Sequence, residues 1–405
     1  MILVTGMGVL APNGLGVERF WDAVLDSRGG IAPLTRFDTS RSTARLAGQV
    51  ADFDATEHLP SRLLPQTDIS TRMALVAAQW ALDDAKVDTA ALTDYDMGVV
   101  TGNASGGFEF THREFNKLWS RGSEHVSVYE SFAWFYAVNT GQISIRHGMR
   151  GPSSALVAEQ AGGVDAVGHA RRTVNRGTPL VVTGGVDSAL DPWGWASHLA
   201  SGEVSTSDEP ELAYLPFDTA AAGYVPGEGG AMLVVEDATA ARARGVPKVH
   251  GEIAGYASTF DPAPDSGRPS GLRRAAELAL ADAGMGPGDI DIVFADAAGV
   301  PDRDRDEAAA IEAVFGPDGV PVTATKPLTG RLFSGAGPLD IVTALLSIRD
   351  SVIPPTAYTT TLAEDYRIDL VLGAPRPATV GGALILARGR WGFNSAVVVR
   401  AVDQT

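Results

Sequence analysis

Gly151-Pro-Ser-Ser-Ala-Leu-Val-Ala-Glu-Gln160-Ala-Gly-Gly163 is the stretch from which the fold is read. Its apolar run, Ser154 to Ala158, predicts a strand that stops at Glu159-Gln160, and the small residues beyond it open a helical segment, Val164 to Arg172. A sharp strand-to-helix turn of this kind is a nucleophile elbow: it presents one side chain at a helix N-terminus, where backbone N–H groups can hold an oxyanion. The residue at the tip is Gln160, and a carboxamide is not a nucleophile. No cysteine occurs anywhere in the 405 residues, which excludes a thiolate nucleophile, a disulfide and a thiolate metal site.

Strands and helices alternate on both sides of the elbow. From Asp68 to Lys86 the apolar residues Met73, Val76, Ala77, Trp80 and Ala81 recur at helical spacing, with Asp68 to Ser70 able to cap the start; a strand, Met97 to Thr101, follows. The same order returns later as a helix over Leu272 to Ala283, stopped by Gly284, and a strand over Ile290 to Ala295 that runs into Asp296-Ala-Ala-Gly299. Even the strand ends look alike, Val99-Val-Thr-Gly-Asn-Ala-Ser-Gly against Val293-Phe-Ala-Asp-Ala-Ala-Gly. The pattern predicts an α/β fold of two related halves, residues 1–245 and 246–405, joined near Arg242 to Lys248 after a strand over Ala231 to Glu236.

Composition narrows the function. Hydrophobic residues at 45% and charged ones at 20% are those of a folded globular chain. A net charge of −17 with no basic run gives no footprint for nucleic acid. No apolar run approaches the ~20 residues of a membrane span, and no basic residue precedes Arg19, so neither a span nor a signal peptide is expected and the location is expected to be cytoplasmic. Gly6-Met-Gly-Val-Leu-Ala11 has the form of a dinucleotide fingerprint, but Pro12 to Gly16 intervene and the amphipathic helix starts only near Val17. A nicotinamide-dependent oxidoreductase would rest on Gly6, Gly8 and Ala11 alone. The seven histidines (His58, His112, His125, His147, His169, His198 and His250) have no metal-ligand spacing, and no serine lies in a hydrolase motif.

The elbow resembles that of the β-ketoacyl synthases, with Gln160 where those enzymes carry the acyl-accepting cysteine. Within Val157-Ala-Glu-Gln-Ala-Gly-Gly163 a glutamine there is similar to the chain length factors, the KSβ subunits of type II aromatic polyketide synthases. The resemblance covers nearly the whole chain and implies the thiolase fold, two βαβαβ halves in five αβαβα layers. It also implies where catalytic groups are lost. Condensation needs a thiolate and two histidines for the enolate and oxyanion, yet no histidine follows His250. Asp296-Ala297-Ala298-Gly299 puts Ala298 in the first histidine's place, with Asp306-Glu307 matching the acidic pair beyond. Thr325-Lys326-Pro-Leu-Thr-Gly330-Arg331 retains the family lysine as Lys326 and replaces the second histidine by Arg331. Gly389-Arg390-Trp391-Gly392-Phe393-Asn394 puts Arg390 at the gate of the active site.

Arg331 cannot exchange protons near neutrality, since its pKa is above ~12; it can hold a carboxylate, Glu159 or Asp306. Gln160 has two readings: its amide donates to a malonyl thioester carbonyl and assists decarboxylation, or it fills the cysteine site. Glu228, between glycines in Leu215 to Glu236, reads as a structural carboxylate bound by backbone N–H groups of a tight loop rather than as a base.

Ser105 to Trp119 predicts a helix after a glycine hinge, with Phe108, Thr111 and Phe115 on one face and Phe108 and Phe115 ~10 Å apart along the axis. By itself this is ordinary core. In chain length factors the matching residues line the far end of a tunnel at the ketosynthase interface, which makes Phe108, Thr111, Phe115 and, as a further wall, Trp193 the expected tunnel residues and a shorter aromatic polyketide the expected product. The aromatic run Ser131 to Asn139 is the expected interface, with Trp134 in it and Phe132 reaching the partner's active site. The implied partners are a cysteine-bearing ketosynthase α subunit, as a heterodimer, and an acyl carrier protein docking mainly on that subunit because both it and this chain are acidic; no cofactor is expected. A purely scaffolding subunit fits the same residues.

Overall fold

The computed structural model describes residues 1–263 and 266–402. The first half runs β1 (Ile2–Ala11), α1 (Val17–Leu25), α2 (Ile69–Asp84), β2 (Met97–Gly102), α3 (Phe108–Arg121), α4 (Val138–His147), β3 (Ser153–Leu156), α5 (Gly162–Asn175), β4 (Leu180–Asp187), α6 (Pro192–Leu199) and β5 (Gly229–Asp237). The second runs β6 (Gly251–Phe260), α7 (Leu272–Ala283), β7 (Ile292–Phe294), α8 (Pro301–Phe315), β8 (Pro321–Thr323), α9 (Ala336–Asp350), β9 (Gly382–Arg388) and β10 (Phe393–Arg400).

The halves share one topology. The first orders its strands β3-β2-β4-β5-β1 and the second β8-β7-β9-β10-β6; in each, the first three are parallel and the last two antiparallel. The likeness between the Val99 and Val293 segments is therefore structural, since β2 and β7 are the same strand of the two repeats. The repeats meet where β1 pairs β6, Leu3 opposite Glu252 and Val4 opposite Gly251.

Layering follows from burial. Helix α9 is buried on every residue from Ala336 to Ser347, as expected of a helix enclosed on all sides. It and α5 lie between the two halves of the sheet, while α2 covers the outer face of the first half and α7 that of the second. The result is the expected five-layered α/β arrangement. Helix α2 is capped by Asp68, which accepts from Ser70 N at 2.8 Å and from Phe110 N at 2.9 Å, tying α2 to α3. Helix α7 ends at Gly284 in the left-handed region.

Strand β1 runs straight through the glycines of Gly6-Met-Gly-Val-Leu-Ala11, with all ten residues from Ile2 to Ala11 buried. A Cβ on Gly6 or Gly8 would lie 2.0 Å from the carbonyl oxygen of Ala81 or Ala77. The glycines let α2 pack directly on the strand, and no phosphate cradle exists there. Among the described residues no helix is long and apolar enough to cross a membrane.

Candidate functional site

Strand β3 ends at Leu156, two residues short of the expected Ala158, and the chain then turns through Glu159, whose φ of 51° is left-handed. Gln160 follows in a 3₁₀ turn that leads into α5, which starts at Gly162 rather than Val164. The elbow exists, and its donors are already engaged. Gln160 N and Arg390 N both donate to one oxygen, Glu159 Oε2, at 2.9 Å each. A carboxylate of the chain itself thus sits where an oxyanion would be held. The Gln160 side chain is wholly buried; its Nε2 donates to Asp296 Oδ1 at 3.0 Å, and its Oε1 has no partner.

Asp296 is the hub. Beyond the end of β7, it accepts from Gln160, from Arg331 Nη1 at 3.2 Å and from Arg388 N at 2.9 Å. Burial opposes its ionisation, but Arg331, Arg303 and Lys326 outweigh that and hold its carboxyl down at about 2. Arg331, 1% exposed, also donates to Arg388 O at 2.8 Å, lies 3.5 Å from Glu159 Oε2 and faces the Tyr224 ring at 5.7 Å. Glu159 is therefore one of its partners, as expected, and Asp306 is not. Asp306 projects from α8 toward solvent, 61% exposed, and pairs with Arg388 at 3.7 Å.

Ala298, Lys326 and Arg390 each have their own setting. Ala298 is buried beside Ala297, whose carbonyl accepts from Tyr214 OH at 2.9 Å, and Glu307 accepts from Asp296 N and Ala297 N at 2.7 and 2.8 Å. Lys326 Nζ donates to Asp340 at 2.5 Å and to Ala295 O at 2.8 Å. Arg390 lies at the mouth, where it and Arg303 share Glu203 at 3.3 and 3.4 Å. Arg303, Arg388 and Arg390 line a cavity of about 490 Å³ with Glu203 and Trp391. His198, stacked on Phe333 at 5.0 Å, is kept neutral by burial and then by Arg390, which together push its imidazole down to about 4. Glu228 is structural, but its partners differ from those expected: Arg36 at 2.7 and 2.6 Å, Ser188 Oγ at 2.5 Å and only one backbone donor, Val50 N.

Asp304, on α8 behind this hub, accepts from Phe217 N and Gly299 N at 2.9 and 3.0 Å. Burial, against those two hydrogen bonds and with the charges of Glu307 and Asp296, pushes its carboxyl up to about 7. Above the ordinary carboxylate pKa of about 4, the unfolded chain loses this proton while the folded chain keeps it, so stability falls as pH rises toward 7. The thermal midpoint is expected to drop from about pH 5 to about pH 8, and to drop less in Asp304→Asn. An equal slope in both proteins would remove this role.

A second cluster is built on α3 and the start of α6. Helix α3 carries Phe108 and Phe115 on the face expected, and their rings close on Trp193 at 5.7 and 5.6 Å from either end. Phe108, Thr111, Trp193 and Trp134 line one cavity of about 150 Å³ with Ser105, Gly107 and Tyr136. Phe115 stands one step behind, against Trp193 and Trp119. Phe132 packs on Tyr129 at 5.9 Å, outside this lining. Trp134, 48% exposed, belongs both to the cavity and to the exposed aromatic run with Phe135 and Tyr136. Sequence reasoning treated Asp296 only as framework and missed Glu203; Asp296 stood within a matched motif, but nothing local indicated that it would meet Gln160.

Residues 1–241 match the family described as beta-ketoacyl synthase, N-terminal domain, and residues 250–360 the corresponding C-terminal domain. The chain is 70% identical over 404 residues to the actinorhodin polyketide beta-ketoacyl synthase 2 of Streptomyces coelicolor, covering 100% of this chain and 99% of that one. It is 56% identical over 400 residues to the tetracenomycin polyketide synthase ketoacyl synthase beta subunit of Streptomyces glaucescens, covering 98% of each. A solved ishigamide ketosynthase/chain length factor superposes with a TM-score of 0.90 at 25% identity over 99% of both chains.

Proposed function

The chain belongs to the β-ketoacyl synthase family, among its polyketide β subunits, the chain length factors, and from that premise we propose that it is the non-condensing partner of a cysteine-bearing ketosynthase. The pair elongates malonyl units on an acyl carrier protein into a poly-β-ketone, and this subunit shapes the tunnel that limits its length. The carrier protein reaches the complex mainly through the ketosynthase.

The filled elbow carries this reading. Acyl transfer needs a nucleophile and free donors for the oxyanion. Here the tip is a carboxamide bound to Asp296, and both converging N–H groups already hold Glu159. With Arg331, Arg390 and Glu203 around it, Gln160 keeps the vacated site packed, one N–H of its amide already donating to Asp296. Pairing is supported by surface chemistry. Strand β3 ends the sheet, and Val157, Ile145, Trp134 and Phe135 are exposed near it, the apolar display of a protein interface. Aromatic walls around an open cavity favour a length-setting subunit over a bare scaffold.

The test is the mass of polyketides released by the complex with its ketosynthase, carrier protein and malonyl donor. Phe108→Ala/Phe115→Ala is expected to lengthen the chains, and Gln160→Ala to leave priming from malonyl units unchanged. Wild-type lengths from an intact Phe108→Ala/Phe115→Ala complex would overturn the tunnel assignment.

A further inference from the structure

Trp193 does not reach the cavity on aromatic contact alone. It is the second residue of α6, whose N-cap is Asp191, and Asp191 accepts from Gly194 N at 2.8 Å and from Trp193 N at 3.3 Å. The same carboxylate meets α3. His112 Nδ1 lies 2.7 Å from Asp191 Oδ2, with the carboxylate almost wholly buried and the imidazole about a quarter exposed. Among the described residues this is the one polar side-chain contact between α3 and the Asp191 start of α6. His112 lies four residues after Phe108 and three before Phe115, on the same helical face, and its ring stands 6.4 Å from that of Trp193.

We propose that His112 is a positioning residue for chain length: by its close contact with Asp191 it docks the start of α6 on α3 and so holds Trp193 between Phe108 and Phe115 over the 150 Å³ cavity. The proposal rests on the tunnel reading above. Each ring pair contributes about 0.5–1.5 kcal/mol at centroid separations of about 4.5–7 Å, a range that leaves the indole several placements. The 2.7 Å contact to a carboxylate that also caps α6 fixes the spacing of the two helices. It therefore selects one placement of the indole from those the three rings would tolerate. The register of the cavity wall is decided by a contact that never touches the polyketide.

The experiment uses the complex with its ketosynthase. His112→Ala is expected to shift the main product by at least one ketide unit and to broaden the distribution, with complex formation and malonyl consumption unchanged. His112→Asn, whose Nδ2 has the same reach from the backbone as the imidazole Nδ1, is expected to restore the wild-type distribution. With 5-fluorotryptophan incorporated, the Trp193 resonance, assigned by its loss in Trp193→Phe, should move in His112→Ala and stay in place in His112→Asn. If His112→Ala gives wild-type lengths while Phe108→Ala/Phe115→Ala lengthens them, the proposal is overturned and the tunnel reading stands. If neither variant changes length, both fall. A changed distribution with an unmoved Trp193 resonance also overturns the positioning role.

Discussion

Asp296→Ala is expected to cost about 3–5 kcal/mol, the range found when one partner of a buried ion pair is removed. Against a total of about 5–15 kcal/mol for an ordinary folded protein, that is enough to unfold much of the population. The reason lies in what the carboxylate leaves behind. Arg331 is almost fully buried, and without Asp296 it keeps a 3.5 Å contact to Glu159 and one carbonyl, too little to offset desolvation of a guanidinium. Gln160 Nε2 and Arg388 N lose their acceptor in the same step. Asp296→Asn, which retains an acceptor but not the charge, should fall between wild type and alanine. Asp296→Asn/Arg331→Met, which removes both charges, should recover much of the loss. Urea midpoints of the four proteins decide the matter. A loss under about 1 kcal/mol for Asp296→Ala would mean that the charge cluster is solvated and does not hold the vacated site together.

Gly8→Val is expected to prevent folding or to lower the thermal midpoint more than any ordinary overpacking, which costs about 1–3 kcal/mol. Its Cβ would stand 2.0 Å from Ala77 O and 2.8 Å from Ala81 N, both backbone atoms of α2. Neither can swing aside as a side chain could, and β1 is held by β5 on its other edge. The same substitution separates the two meanings of Gly6-Met-Gly-Val-Leu-Ala11. Were these glycines a phosphate cradle, the variant would lose dinucleotide binding and remain folded. Scanning calorimetry of the variant, with a nicotinamide dinucleotide titration of the wild type, distinguishes them. A well-folded Gly8→Val protein would contradict the packing.

Local order along the chain was legible because periodicity and punctuation are local properties. Helix α7 has the expected limits, Leu272 to Ala283, because its apolar spacing and Gly284 both lie within it or beside it. The elbow was legible because an apolar run, an abrupt end and a row of small residues follow one another directly. The strand ends were less so: β3 stops at Leu156 and β7 at Phe294, since where pairing ceases depends on the neighbouring strand.

What the sequence alone determined is the absence of an acyl-accepting thiol. A chain with no cysteine and no histidine beyond His250 cannot form a cysteine–histidine condensing centre, however it folds. Two related halves, the glutamine at the elbow and the aromatic face of α3 follow from the same reading. What only the tertiary structure decided is who meets whom. Arg331 had Glu159 and Asp306 as candidate partners; the end of β7 brought Asp296, and the outward face of α8 removed Asp306. Gln160 meets a carboxylate 136 positions away, and His112 one 79 positions away. Ion pairs and helix caps act over a few ångströms, whereas residue spacing predicts only neighbours on the same strand or helix. Contacts between elements depend on how the two halves of the sheet stack, which is settled by the burial of all of them together.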